Sequence, residues 1–292
     1  MIEAYLVYLA TLFFITALSA CALNLAMGYT GIINLSHMAL FGIGAYTSAL
    51  LVLAGVPFVM ALPMAGIVSA LFGIAIGRLT VRLSGDYLAF ATLAFAYLIY
   101  SLEVGFTGIT RGPFGIIGIP RPSILGFVFQ SNEAMLLLVA VVCTVCIYLI
   151  HRIASSPYGR LLEAVRDDEV RVQALGKNTA RLKLEALAAS AFFAGVAGSF
   201  YAHYISFIDP SSFTLSPLAM IVAMVVVGGL ASTKGAIIGT LLLFLVPEGL
   251  RFFDMGGAQI GALRMMVFSA VLMAVILWRP KGIFGRISLS SI

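Results

Sequence analysis

Charge is scarce in this sequence. Asp, Glu, Lys and Arg together make up 10% of its 292 residues and 62% are hydrophobic, whereas an average soluble domain is about 25% charged. A water-soluble fold of this length cannot hide so much apolar side chain. Also absent are a GxxxxGK[ST] phosphate loop, an HExxH helix and a GxSxG elbow, and the three histidines, His37, His151 and His203, lie far apart. Nucleotide hydrolysis, zinc hydrolysis and serine nucleophilic catalysis therefore lack the residues they need, and no catalytic residue or metal-ligand set is expected. The only cysteines are Cys21, Cys143 and Cys146, all inside apolar runs. A thiolate there would be buried without a cationic neighbour, so these read as small apolar helix residues. Acids at mid-span, which a proton-coupled carrier usually needs, are nearly missing. The ionisable residues near membrane depth are Asp86 and Glu103 at the ends of one run, and Glu248 with Arg251. The last two share a helix face and can neutralise each other.

What the sequence has is long apolar runs, of the roughly 20-residue length a membrane helix requires. Turn residues and charges divide them into about nine spans (8–10): 5–27, 38–54, 58–77, 86–104, 133–150, 185–204, 215–230, 235–250 and 262–278. The fold class is an all-α polytopic transmembrane helical bundle, read as one transmembrane domain over 1–292. The first run has no Lys or Arg before it and no small-residue cleavage site after it, which predicts a retained helix. Of the 17 Lys and Arg, only Arg111, Arg121, Arg251 and Arg264 fall on one side of these spans. The richer side is cytoplasmic by the positive-inside rule, which puts the N-terminus outside and the C-terminus inside. Gly73 with Gly77 and Gly235 with Gly239 have the spacing of close helix packing.

The cytoplasmic segment 151–184 differs in kind. Ser155 or Ser156 can cap a helix, Pro157 suits its first turn and Gly176 can end it. The spacing predicts about five helical turns, with Leu161, Val165, Val172 and Leu175 on one face. Two readings fit: a helix resting on headgroups, or a docking helix for a soluble partner. The acid run Asp167, Asp168 and Glu169 favours the second, being unsuited to anionic lipid.

Between the first two spans lies "GYTGIINLSHMALFGIGAYTSALL", Gly28 to Leu51. Its glycines permit a helix to stop, and backbone groups freed inside a membrane must be satisfied by protein or by a water-lined cavity. Asn34, Ser36 and His37 are suitable partners. They either line a polar path for a substrate, as broken helices do in transporters, or cap the second helix.

This stretch resembles the Gly-rich signature of the permease subunits of high-affinity branched-chain amino acid ABC importers. "SGDYLAFATLAFA" (Ser84 to Ala96), "TRGPFGIIGIP" (Thr110 to Pro120), "AVRDDEVRVQALGKNTARLK" (Ala164 to Lys183), "GGLASTKGAIIG" (Gly228 to Gly239) and "RPKGIFG" (Arg279 to Gly285) resemble that family too, in order along the chain. "GDYLAFATLAFA" and "RPKGIFG" look like its M-type rather than its H-type member. Two departures stand out. Val170, Arg171 and Val172 occupy the place of the Glu-Ala-Ala that precedes a glycine in importers generally, and Arg111-Gly112-Pro113 stands where the family often has two glycines.

The resemblance implies a subunit without its own ATPase, in a bacterial-type inner membrane. Its implied partners are a second homologous permease, two cytoplasmic ATPase subunits that use ATP and Mg, and an extracytoplasmic binding protein that delivers the amino acid. No cofactor on this chain and no nucleic acid is implied. It makes Ala164 to Lys183, within the cytoplasmic loop 151–184, the segment that couples to an ATPase, with Glu163, Arg166, Asp167, Asp168 and Gly176 as the candidate coupling residues. A permease for urea or short amides looks much alike; an ion-coupled carrier and an intramembrane enzyme are the alternatives from other classes.

Overall fold

The computed structural model describes residues 2–80, 83, 85–124, 127–249, 257–279 and 281–285. Apolar side chains with few internal breakers leave the backbone little choice in lipid, where only a helix satisfies its N–H and C=O groups within one segment. Accordingly the chain is helical nearly throughout: α1 (Ile2–Thr30), α2 (His37–Leu53), α3 (Phe58–Thr80), α4 (Asp86–Gly105), the single turn α5 (Thr107–Thr110), α6 (Asn132–Ser155), α7 (Pro157–Asp167), α8 (Glu169–Ala174), α9 (Thr179–Ile205), α10 (Leu215–Gly228), α11 (Thr233–Gly249) and α12 (Gly257–Trp278). Each predicted apolar segment falls on one of these helices. Six stretches are long and apolar enough to cross a membrane: Glu3–Thr30, Phe58–Thr80, Asp86–Gly105, Asn132–Ser155, Thr179–Ile205 and Pro210–Gly228. His37–Leu53, Thr233–Leu245 and Met266–Val275 are shorter apolar helices. The chain is a polytopic helical membrane protein.

α9 is the hub, packed on α1, α2 and α3. Small residues make this possible. A Cβ added to Gly44 would meet the backbone of Gly195, and one on Gly198 the carbonyl of Phe41, so α2 and α9 touch main chain to main chain. Gly73 packs on Ala191, and Gly77 on Leu184 and Leu187. The second predicted pair, Gly235 and Gly239, instead lets α11 lie on α10, against Gly228 and Met224. Hydroxyls lock the hub: Ser190 donates to the Ala22 carbonyl at 2.6 Å and Ser69 to that of Leu40 at 2.9 Å.

At the end of the bundle away from α7, Ile116–Ile117 pairs antiparallel with Phe207–Ile208. There His203 fixes the loop. Its Nδ1 lies 2.7 Å from the Pro120 carbonyl, which can only accept, so Nδ1 carries the proton and Nε2 accepts from Ser48 Oγ at 2.9 Å. Ser199 donates to Ser48 at 2.7 Å. Arg111 has φ 61, the left-handed region that glycine tolerates best.

One expectation is corrected. The segment after α6 is two helices. Ser156 caps α7 by accepting from the Gly159 N–H, with Pro157 in its first turn, as the sequence suggests. Asp168, however, turns extended (φ −159, ψ 96) and accepts from the Arg171 N–H at 3.0 Å, capping α8 anew. An Asp side chain that bonds the backbone ahead of it competes with helix continuation. Of the four residues expected on one face, Val165 and Val172 are buried and Leu161 half-buried, but Leu175 is exposed; Leu162 is buried in addition.

Candidate functional site

The break between α1 and α2 is built by local chemistry. Gly31 takes φ +71 and ends α1, and the next N–H, of Ile32, reaches back to the Ala26 carbonyl at 3.2 Å. The connector then needs partners for its backbone. Thr92 of α4 supplies them: its hydroxyl accepts from the Leu35 N–H at 3.1 Å and lies 3.3 Å from the Ile33 carbonyl. Asn34 Oδ1 accepts from the Ser36 N–H at 3.0 Å and the Ser36 hydroxyl at 2.6 Å. His37 Nε2 lies 3.0 Å from Ser19 Oγ on α1. Asn34, Ser36 and His37 are all buried, and Asn34 Nδ2 and His37 Nδ1 have no hydrogen-bond partner.

Two cavities flank this knot. The larger, about 350 Å³, lies between Leu35 and Met38, the α4 residues Leu93, Ala96, Tyr97 and Tyr100, and the start of α10 at Phe213 to Ser216. The second, about 290 Å³, is bounded by Ser19, Met38, Phe41, Tyr201, Met220 and Phe244 among others. Met38 separates the two. Asn34, Ser36 and His37 line neither; His37 stands one side chain behind the wall, through Ser19.

On the α7 side the coupling candidates divide. Arg166 is not a surface residue: its side chain is 7% exposed, its Nη1 donates to the Gly28 carbonyl at 2.8 Å and its Nη2 pairs with Asp167 at 2.7 Å. Its Cγ fills the space a Cβ on Gly31 would need. Asp167 is exposed, Asp168 caps α8 and pairs with Arg171 at 2.7 Å, and Glu163 is half-buried on α7. Gly176 takes φ +76 just after α8. A cleft of about 190 Å³ joins Gly31, Gly85, Arg166, Glu169 and Lys183, bringing the end of α1 and the starts of α4 and α9 together beside α7 and α8. Lys183 pairs with Glu169 at 2.5 Å across this junction. Burial and the neighbouring Glu185 carboxylate push the Tyr158 phenol above its ordinary range, so it stays neutral here.

Sequence reasoning missed three features. Val170 and Leu175, 73% and 79% exposed, give α8 an apolar outer surface. Asn24, buried on α1, accepts from the Ala231 N–H at 3.1 Å and donates to the Ser232 carbonyl at 3.0 Å, pinning the turn between α10 and α11. A lone Asn in an apolar run was the available signal. Finally, the Ile283 and Phe284 N–H groups donate to the carbonyls of Val227 and Gly228, both at 2.9 Å, so the end of "RPKGIFG" caps α10. Asp86 is the acid of the first turn of α4 and needs no further role. Arg251 lies outside the described residues, so the proposed pair with Glu248 does too.

Comparison with known proteins agrees with this architecture. The family model described as the permease component of branched-chain amino acid transport systems matches residues 5–276. The high-affinity branched-chain amino acid permease LivM of Salmonella typhimurium is 34% identical, over 94% of this chain and 69% of its own length. LivM of Escherichia coli K12 is also 34% identical, over 97% and 71%. LivH of Salmonella typhimurium is 26% identical over 98% of both chains. These values accord with the M-type features of the sequence. No solved structure matches. The chain belongs to the family of permease components of branched-chain amino acid transport systems.

Proposed function

We propose that this chain is the M-type permease subunit of an ATP-driven importer and moves branched-chain amino acids, handed over by an extracytoplasmic binding protein, across a bacterial-type inner membrane. The observation that carries the reading is the family match along residues 5–276. The shorter helices α2, α11 and α12 cross with the six longer stretches, giving nine spans in one domain over 1–292. The N-terminus is outside and the C-terminus inside, in keeping with the basic residues and with α7 lying at the α1 C-terminus.

A second permease completes the pathway, and two ATPases supply ATP hydrolysis with Mg; this chain contributes no catalysis. Within the coupling loop 151–184, α8 offers Val170, Arg171 and Leu175 to the ATPase groove, while Asp167, Asp168 and Glu163 shape its surroundings. Arg166 carries the motion inward to the break at Gly28 to His37. The cargo passes the two cavities that meet at Met38, and Asn34, Ser36 and His37 support the wall between them. The test is competition uptake in vesicles holding the full complex, across leucine, isoleucine, valine, aromatic amino acids and urea. Leucine-like substrates should compete best; urea uptake indifferent to leucine would favour the amide-permease reading.

A further inference from the structure

Glu103 and Tyr46 are 8% and 5% exposed, and Glu103 Oε1 and the Tyr46 hydroxyl have no hydrogen-bond partner. Among the described ion pairs none involves Glu103. An uncompensated buried carboxylate is strongly destabilising, and within a membrane such a group marks function by default.

Neither side chain lines the larger cavity, but each stands one step from a residue that does. On α4 its lining residues Leu93, Ala96, Tyr97 and Tyr100 recur at helical spacing. Glu103 is the next step along that face, about 4.5 Å beyond Tyr100. The Tyr46 ring packs edge-on against Phe213, centroids 5.9 Å apart, and Phe213 lines the cavity. The N-terminus of α10, Thr214 to Ser216, also lines the cavity, and no side chain caps the helix there.

Resting on the permease reading, we propose that this cavity is a cargo site for a zwitterionic amino acid, with Glu103 and Tyr46 taking the α-ammonium group. The three N–H donors of the ammonium match the carboxylate and the phenol oxygen. The α-carboxylate faces the N-terminus of α10, whose free N–H groups and dipole favour an anion. The aliphatic side chain lies among Leu35, Met38 and Leu93. A neutral amide such as urea satisfies neither charge.

The experiment compares Glu103→Gln, Glu103→Asp and Tyr46→Phe with the unaltered chain in the reconstituted complex, reading leucine uptake, binding-protein-stimulated ATPase and melting. Glu103→Gln should lower uptake about tenfold or more, the loss of a charge-assisted bond. Melting should hold or rise, because Glu103 Oε1 has no hydrogen-bond partner to lose. Glu103→Asp should recover part of the uptake, and Tyr46→Phe should lower it less. Normal uptake by Glu103→Gln would overturn the site. So would lower melting or failed pairing with the second permease, which would make Glu103 an assembly residue. If the unaltered complex does not take up leucine, the permease reading fails, a different outcome from either.

Discussion

The guanidinium of Arg166 donates from Nη1 to the Gly28 carbonyl at 2.8 Å, joining α7 to the last turn of α1. Carbonyls at a helix C-terminus carry partial negative charge and lack intrahelical donors, so a buried cation there both caps and grips the helix. Arg166 also fills the space over Gly31, so α7 is held against the break between α1 and α2. On the proposed coupling role, a tilt of α7 reaches the break through this link.

Replacing Arg166 with Ala should therefore uncouple the transporter. The lost charge-assisted bond is worth about 1.5–3 kcal/mol. The expected outcome is ATPase activity retained with fewer leucine molecules moved per ATP. Arg166→Lys, which keeps the charge without the planar fork, should fall between. An unchanged ratio of uptake to hydrolysis would remove Arg166 from the linkage, and loss of ATPase binding would make it a docking residue.

His37→Leu tests the support of the wall. Loss of the bond to Ser19 costs about 0.5–1.5 kcal/mol, and removing the unpartnered Nδ1 offsets a penalty of similar size. Melting should thus move little while uptake falls, because Ser19 no longer holds its place at the cavity. Normal uptake in a normally assembled complex would take His37 out of the pathway.

Gly44→Ala probes the hub. Its new methyl would meet the Gly195 backbone, which no rotamer change can avoid. Overpacking of this kind destabilises by about 1–3 kcal/mol, so lower melting and lower complex yield are expected. Melting equal to that of the unaltered protein would show that α2 and α9 do not need this closeness.

Orientation is testable because Cys21, Cys143 and Cys146 are buried, leaving the protein nearly silent to thiol reagents. In intact cells an impermeant reagent should label Phe114→Cys but not Leu175→Cys, both at highly exposed positions. Outside labelling at 175 would invert the topology and detach α8 from the cytoplasm.

The sequence spoke clearly wherever a local rule decided the outcome. Apolar runs gave the helices, Gly31 marked the end of α1, and Ser156-Pro157 marked the start of α7. It was silent where distant residues decide. Asn24 answers to Ala231 and Ser232, Arg166 to Gly28, and Thr92 to the connector at Ile33 and Leu35. The split at Asp168 was hidden for a different reason: "RDDEVRV" contains no Gly or Pro, and only the competing side-chain cap reveals it. Asn34, Ser36 and His37 were picked out by polarity, which does not tell a wall from the support behind it.

The most direct test of the permease role is leucine uptake into vesicles carrying this chain with its second permease, both ATPases and the binding protein, with the proton gradient collapsed. Uptake that requires ATP and persists without the gradient is the predicted result. Uptake that follows the gradient and ignores ATP would contradict it.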